Sequence, residues 1–148
     1  NQPVYGSDRM VNPEFLEAAG KYSEGIVTTC QYNPDADDPK LKAFKSAYIK
    51  RFGQEPNVFA AHAYDAVNMI IEAIHKVGLN RALVRDILTD LKTFQGYRGA
   101  TGIVIFDAAF NNLRPIFMAK VNKGRFEFSP APEFKKEDVI YKKVNMGY

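Results

Sequence analysis

Between Pro39 and Leu91 the chain reads as three amphipathic helices in succession with no strand between them, and this run limits the possible folds more than any other feature. Asp38 is placed to cap the first, with Pro39 as its first residue, and Leu41, Phe44, Tyr48 and Phe52 recur every three or four positions before Gly53 ends it. The second follows Pro56-Asn57, carries Phe59, Ala63, Val67, Ile70, Ile74 and Val77 in helical register, and stops at Gly78. The third starts near Arg81, with Leu83, Ile87, Leu88 and Leu91 expected inward. A regular strand–helix alternation cannot contain such a run, so the pattern is broken here.

The flanks of the run read as strands. Pro3-Val4-Tyr5-Gly6 reads as the end of a short buried strand. Asn12 and Pro13 open a helix with Phe15, Leu16 and Ala19 on one side, and Gly20 ends it. The β-branched, apolar run Gly25 to Cys30 is a second buried strand, which makes a βαβ unit with parallel strands. Tyr32 to Pro39 is a loop by composition. After Gly96 the chain turns β-rich, at Gly102 to Phe106, Pro115 to Val121 and Arg125 to Phe128. Asn122-Lys123-Gly124 reads as a hairpin turn between the last two. Val139 to Val144 is a candidate further strand.

A length of 148 residues, 46% of them hydrophobic, suits a globular domain with its own core. The net charge of +3 is small and dispersed. The C-terminal lysines are interrupted by Glu133, Glu137 and Asp138, so no contiguous basic face for nucleic acid is expected. No apolar run approaches the ~20 residues that cross a bilayer, and no secretion signal opens the chain. The single cysteine, Cys30, leaves the redox compartment open.

Three short motifs occur in order: Gly6-Ser7-Asp8, then Ala63-Tyr64-Asp65-Ala66-Val67, then Gly99-Ala100-Thr101-Gly102 leading to Phe106-Asp107. Together they resemble the C-terminal part of the type I periplasmic solute-binding proteins, the branched-chain amino acid (Leu/Ile/Val) binding family. The resemblance implies an α/β fold, the type I periplasmic-binding-protein fold of Rossmann-like lobes, with crossovers at a hinge. It implies that residues 1–128 are the C-terminal portion of a two-lobe domain. Within it, 1–32 would belong to the C-terminal lobe, 33–106 mainly to N-terminal lobe helices and the hinge, and 107–128 to a return to the C-terminal lobe, with 129–148 as a tail. The Gly-Asp turn usual after the third motif is replaced here by Phe110-Asn111-Asn112.

The implied function is capture of an amino acid, or an aromatic or aliphatic acid, for the membrane permease of an ABC importer, without chemistry and without a cofactor. The location implied is periplasmic or extracellular, with a lipid anchor conceivable through an N-terminal portion preceding this chain. In the amino-acid-binding members an acidic residue of the Gly-x-acid motif salt-bridges the ligand's α-amino group, and that role falls on Asp8. Independently, Asp8 lies past the carboxyl end of a strand, where open parallel sheets bind ligands. Gly6, Ser7 and Arg9 flank it, and Tyr32, at the exit of the second strand, could stack on a ligand or cover the hinge. A capping role within its own turn is the competing reading of Asp8.

Tyr64-Asp65 is expected to be structural, within a tightly packed helix. The glycines of the third motif are expected to let strands bend across the hinge. Asp35, Asp37 and Asp38 lack the Gly and distant Glu of a calcium loop, and His62 and His75 are too far apart to share a metal. Cys30 with His62 as base would be the enzymatic alternative, a small hydrolase-like α/β enzyme. A ligand-sensing domain of a receptor or regulator is the alternative within the fold. The apolar faces of 39–52 and 59–77 are expected to be exposed in this chain alone, and hence to pair with an N-terminal half or a second copy.

Overall fold

The computed structural model describes residues 2–90 and 95–132; the candidate strand at Val139 to Val144, Leu91 and most of the 129–148 tail lie outside the described residues. The first strand is short, β1 (Tyr5–Gly6), and helix α1 (Pro13–Ala19) follows it. Asn12 caps α1 as its sequence demands, the side-chain oxygen accepting from the Phe15 N–H at 2.7 Å, and Gly20 ends it at φ 51°. Strand β2 (Val27–Cys30) then pairs parallel with β1, Tyr5 opposite Val27 and Gly6 opposite Thr28. This is the expected βαβ unit, but β1 is an edge strand with β2 on one side alone. Tyr5 and Val4 are therefore exposed instead of buried.

The helical run is present with its expected punctuation. In α2 (Pro39–Phe52) the Asp38 carboxylate accepts from the Lys40 and Leu41 amides, and Gly53 closes the helix in the left-handed region at φ 71°. Helix α3 (Val58–Val77) begins at the Asn57 cap and ends at Gly78, and α4 (Arg81–Thr89) begins at the Asn80 cap.

Strand β3 (Tyr97–Gly99) had no counterpart in the sequence reading; it forms a separate antiparallel hairpin with β4 (Gly102–Val104). The last two strands, β5 (Phe117–Asn122) and β6 (Arg125–Pro130), form the expected hairpin, Asn122 opposite Arg125. Both turn residues adopt positive φ, Lys123 at 51° and Gly124 at 71°, and their amides donate to the Glu24 carboxylate.

The strands thus fall into two sheets, β1-β2-β5-β6 and β3-β4. Central β2 is parallel to β1 and antiparallel to β5, and Thr28 lies opposite Ala119. Three apolar clusters hold the layers together. Val11, Cys30 and Ala119 with Phe126 and Phe128 pack the larger sheet, where Phe15 of α1 stacks on Phe126 at 6.4 Å. Tyr32, Leu41, Phe44, Ala61 and Ala100 join α2, α3 and the hairpin; Met69, Ala73, Ile87, Tyr97 and Val104 join α3, α4 and the small sheet.

Helix α3 is apolar on two sides, and the side that packs is narrow. Ala61, Asp65, Met69 and Ala73 are buried, whereas Phe59 (59% exposed), Val67 (57%) and Ile70 (44%) face outward with Ile71. The expected exposure holds for α3, so the tight packing read from Ala63 and Val67 is corrected: both are exposed, and the stripe that packs is Ala61, Asp65, Met69 and Ala73. For α2 the exposure is confined to its end. Leu41 and Phe44 are covered by Tyr32, Ala61 and Ala100, and Phe52 is left bare. Leu83 of α4 is exposed rather than inward.

Candidate functional site

The chain leaves β1 at Gly6 and turns at once into a single turn of 3-10 helix, Asp8–Met10. A Cβ at position 6 would lie 2.2 Å from Met10 Sδ, so a larger residue there would require the Met10 side chain to move aside. The Ser7 and Asp8 carbonyls accept from the Met10 and Val11 amides and fix the turn, leaving the Asp8 side chain to project beyond the sheet. Asp8 Oδ2 accepts from Gln31 Nε2 at 3.0 Å, and Oδ1 has no hydrogen bond among the described residues.

Asp8 and Gln31 form one wall of a cleft of about 270 Å³ whose other wall is the first turns of α3: Val58, Phe59 and His62. The cleft pairs a carboxylate with an aliphatic and an aromatic side chain. His62 Nδ1 sits 2.8 Å from the Val58 carbonyl and so carries the proton it donates; Nε2 is buried with no partner among the described residues.

Of the ligand-site residues named from sequence, Gly6, Ser7, Asp8, Arg9 and Tyr32, Asp8 alone lines this cleft; His62, considered there as a base for Cys30, lines it too. Ser7 and Arg9 are exposed and their side chains make no hydrogen bond among the described residues, and Gly6 lies behind the turn. Tyr32 is 5% exposed, its ring edge-on to His62 at 5.6 Å inside the α2–α3 cluster. Burial pushes its phenol up to about 12. It therefore backs the cleft instead of offering a free face for stacking. Gln31, Val58, Phe59 and His62 were missed as site residues, since nothing local in sequence announces that the β2 exit and the start of α3 converge.

The motifs of α3 and the small hairpin turn out to be one contact. The Asp65 carboxylate, 3% exposed, accepts from the Ala100 amide at 2.7 Å, the Thr101 amide at 2.8 Å and the Thr101 hydroxyl at 2.7 Å. A Cβ on Gly99 would lie 2.3 Å from that carboxylate, and Gly102 sits at φ 100°. These glycines thus serve a tight hairpin tip and a close approach rather than a bend between lobes. Arg114, half-buried, donates to the same Thr101 hydroxyl and carbonyl and to the Gln31 carbonyl. Burial lowers its pKa, and the nearby Asp65 charge acts in the opposite direction.

The remaining candidates have structural duties. Asp38 caps α2 and pairs with Arg98, and Asp37 pairs with Lys42. Asp107 accepts from the Ala109 and Asn111 amides and from the Asn111 side chain, holding the turn in which Phe110 stands at φ 62° where glycine is usual. Cys30 is buried and its thiol donates to the Tyr32 carbonyl at 3.0 Å. Burial pushes that thiol up, against what a nucleophile needs. Among the described residues no three His, Cys, Asp or Glu side chains gather to hold a metal, and no helix is long and apolar enough to cross a membrane.

The sequence profile of the periplasmic binding proteins matches residues 1–125, a span that contains all three motifs and the Asp8 cleft. The chain belongs to the periplasmic binding protein family. It is 27% identical over 121 residues to the Leu/Ile/Val-binding protein homolog 2 of Brucella abortus strain 2308, covering 79% of this chain and 31% of that protein. Among solved structures, LivJ of Streptococcus pneumoniae, crystallised with isoleucine, superimposes with a TM-score of 0.74 at 28% identity, covering 88% of this chain and 37% of that one. The leucine-binding protein LivK of Thermotoga maritima MSB8 gives the same TM-score at 26% identity, covering 87% and 37%. The α/β architecture with its parallel and antiparallel pairs is the type I periplasmic-binding-protein fold. The chain spans about a third of the length of the relatives it matches.

Proposed function

We propose that this chain supplies part of the solute-binding component of an ABC importer, working outside the cytoplasm and delivering an amino acid or similar small amphipathic molecule to a membrane permease. The single observation that carries the reading is Asp8 itself, a carboxylate with one oxygen held by Gln31 and the other without a hydrogen bond among the described residues, set against Val58 and Phe59. A ligand with an ammonium beside an apolar side chain matches that pairing, because a desolvated ammonium needs both a counter-charge and hydrogen bonds.

The division into lobes is part of the proposal. Residues 1–32 and 107–128 would form C-terminal lobe and 33–106 mainly N-terminal lobe, in keeping with the two sheets. The outward apolar stripe of α3 is where an N-terminal half would seat. A closing hinge between the lobes would report occupancy to the permease.

The test is calorimetric titration of the full-length protein with L-leucine, L-isoleucine and L-valine, with benzoate as an amine-free control. Asp8→Ala should cost on the order of 3 kcal/mol, over a hundredfold in affinity, by leaving a buried ammonium unpaired. Asp8→Asn keeps the shape and should lose most of the same. Thermal stability without ligand should barely move, since the Asp8 side chain makes a single hydrogen bond among the described residues. Parent-like affinity in both variants, or binding of benzoate alone, refutes the amine reading.

A further inference from the structure

We infer that Arg114 and Gln31 are positioning residues of the ligand site: Arg114 clamps the Gln31 backbone to the small hairpin so that the Gln31 amide presents the Asp8 carboxylate in one orientation. The inference rests on the reading of Asp8 as the ammonium counter-charge. It adds Arg114, which lies outside the lining of the Asp8 cleft, and it gives Gln31, part of the cleft wall, a role exerted through the carboxylate it orients.

The geometry is a continuous chain of hydrogen bonds from one sheet to the other. Asp65 on α3 grips Thr101 through both its amide and its hydroxyl. The Thr101 hydroxyl spends its proton on Asp65 and so presents a lone pair to Arg114 Nη1 at 2.8 Å, while the Thr101 carbonyl accepts from Nη2 at 3.1 Å. Arg114 Nε reaches the Gln31 carbonyl at 2.9 Å, and the Gln31 side chain donates to Asp8 Oδ2 at 3.0 Å. The anchor at the Thr101 end is immobilised by a buried carboxylate, so the guanidinium transfers a fixed reference to the β2 exit.

Three features argue that this serves the site and not the fold alone. The guanidinium directs its three hydrogen bonds to acceptors on two segments, Gln31 and Thr101, and among the described residues none goes directly to a carboxylate. A planar fork can hold acceptors on two segments in a set relation, and an ammonium on a flexible stem cannot. Gln31 is exposed, and its amide has the Asp8 carboxylate as its one partner among the described residues, so its side chain contributes little to packing.

The experiment is a double-mutant cycle on affinity in the full-length protein, titrated with L-leucine, L-isoleucine and L-valine. In the parent background Arg114→Lys and Gln31→Ala should each weaken the amino acid bound by about tenfold, the scale of one hydrogen bond to a charged group. In the Asp8→Asn background each should cost less than about twofold, because the group they orient has lost its charge. Gln31→Ala guards against misfolding, since its melting temperature without ligand should match the parent.

Equal losses in both backgrounds, or no loss from either variant in the parent, overturn the inference while leaving the Asp8 reading intact. Parent-like binding by Asp8→Asn, or no binding of any of the three amino acids, overturns the Asp8 reading and this inference with it.

Discussion

Replacing Asp65 by Asn is the substitution on which the architecture around the site can be tested most directly. The carboxylate accepts three hydrogen bonds, one at Oδ1 from the Ala100 amide and two at Oδ2 from the Thr101 amide and hydroxyl. Asn keeps the volume but has a single acceptor oxygen. If that oxygen faces Thr101, the amide NH2 points at the Ala100 N–H, donor against donor; if it is flipped, two bonds are lost. One charge-assisted bond is worth about 1.5–3 kcal/mol, and the bonds left to Thr101 become neutral and weaker. We expect Asp65→Asn to cost about 2–3 kcal/mol and Asp65→Ala about 3–5, the latter also stripping Arg114 of its nearest buried counter-charge. Against a typical total of about 5–15 kcal/mol either loss is large. Urea unfolding measures the cost, and hydrogen exchange at the Ala100 and Thr101 amides localises it: both should lose protection while α1 and the β5–β6 hairpin keep theirs. An Asn variant within about 0.5 kcal/mol of the parent, or unchanged protection at those two amides, would refute the account of Asp65 as the clamp.

Gly99→Ala puts a Cβ 2.3 Å from the Asp65 carboxylate and should destabilise by about 1–3 kcal/mol in thermal unfolding; no change would mean that Asp65 can move aside. Tyr32 makes a pH-dependent prediction. Burial raises its phenol to about 12, whereas an unfolded tyrosine ionises near 10, so its contribution is complete below about pH 10 and lost as pH rises toward about 12. Within that window the loss runs at up to about 1.4 kcal/mol per pH unit. Urea midpoints taken at intervals across the window should fall less steeply for Tyr32→Phe than for the parent; parallel slopes would refute it.

Much of the fold was legible because its punctuation is local. Asn12-Pro13, Asp38-Pro39 and Asn57 cap helices through their own side chains within three residues, and Gly53 and Gly78 end helices at positive φ. The β5–β6 turn reads from Lys123-Gly124 for the same reason. Strand β3 did not read, since Tyr97-Arg98-Gly99 is too short for its alternation to register, and its pairing depends on what Asp65 does to the hairpin tip. On α3 the period of the large apolar residues was clear, but periodicity cannot say which side of the helix packs, and the side that does carries Ala61, Asp65, Met69 and Ala73. At the site, Asp8 was visible through its motif and its place after a strand. Gln31, Phe59, His62 and Arg114 were not, because each acquires its role from a partner in a distant segment.

The position of β2 between β1 and β5 governs when the larger sheet can exist during folding. Its neighbour on one side arrives locally, but on the other Thr28 must find Ala119, 91 positions along the chain. Closing a loop of that size costs roughly 4 kcal/mol of chain entropy before any contact is returned, and pairings this distant are slow. Until β5 docks, β2 offers a bare edge of unpaired amides and carbonyls to any passing strand. The three intervening helices carry their own caps and can form in the meantime. A nascent chain halted before Phe117 would hold finished helices around an unfinished sheet, so the segment that completes the sheet also decides how long the growing protein stays vulnerable to aggregation.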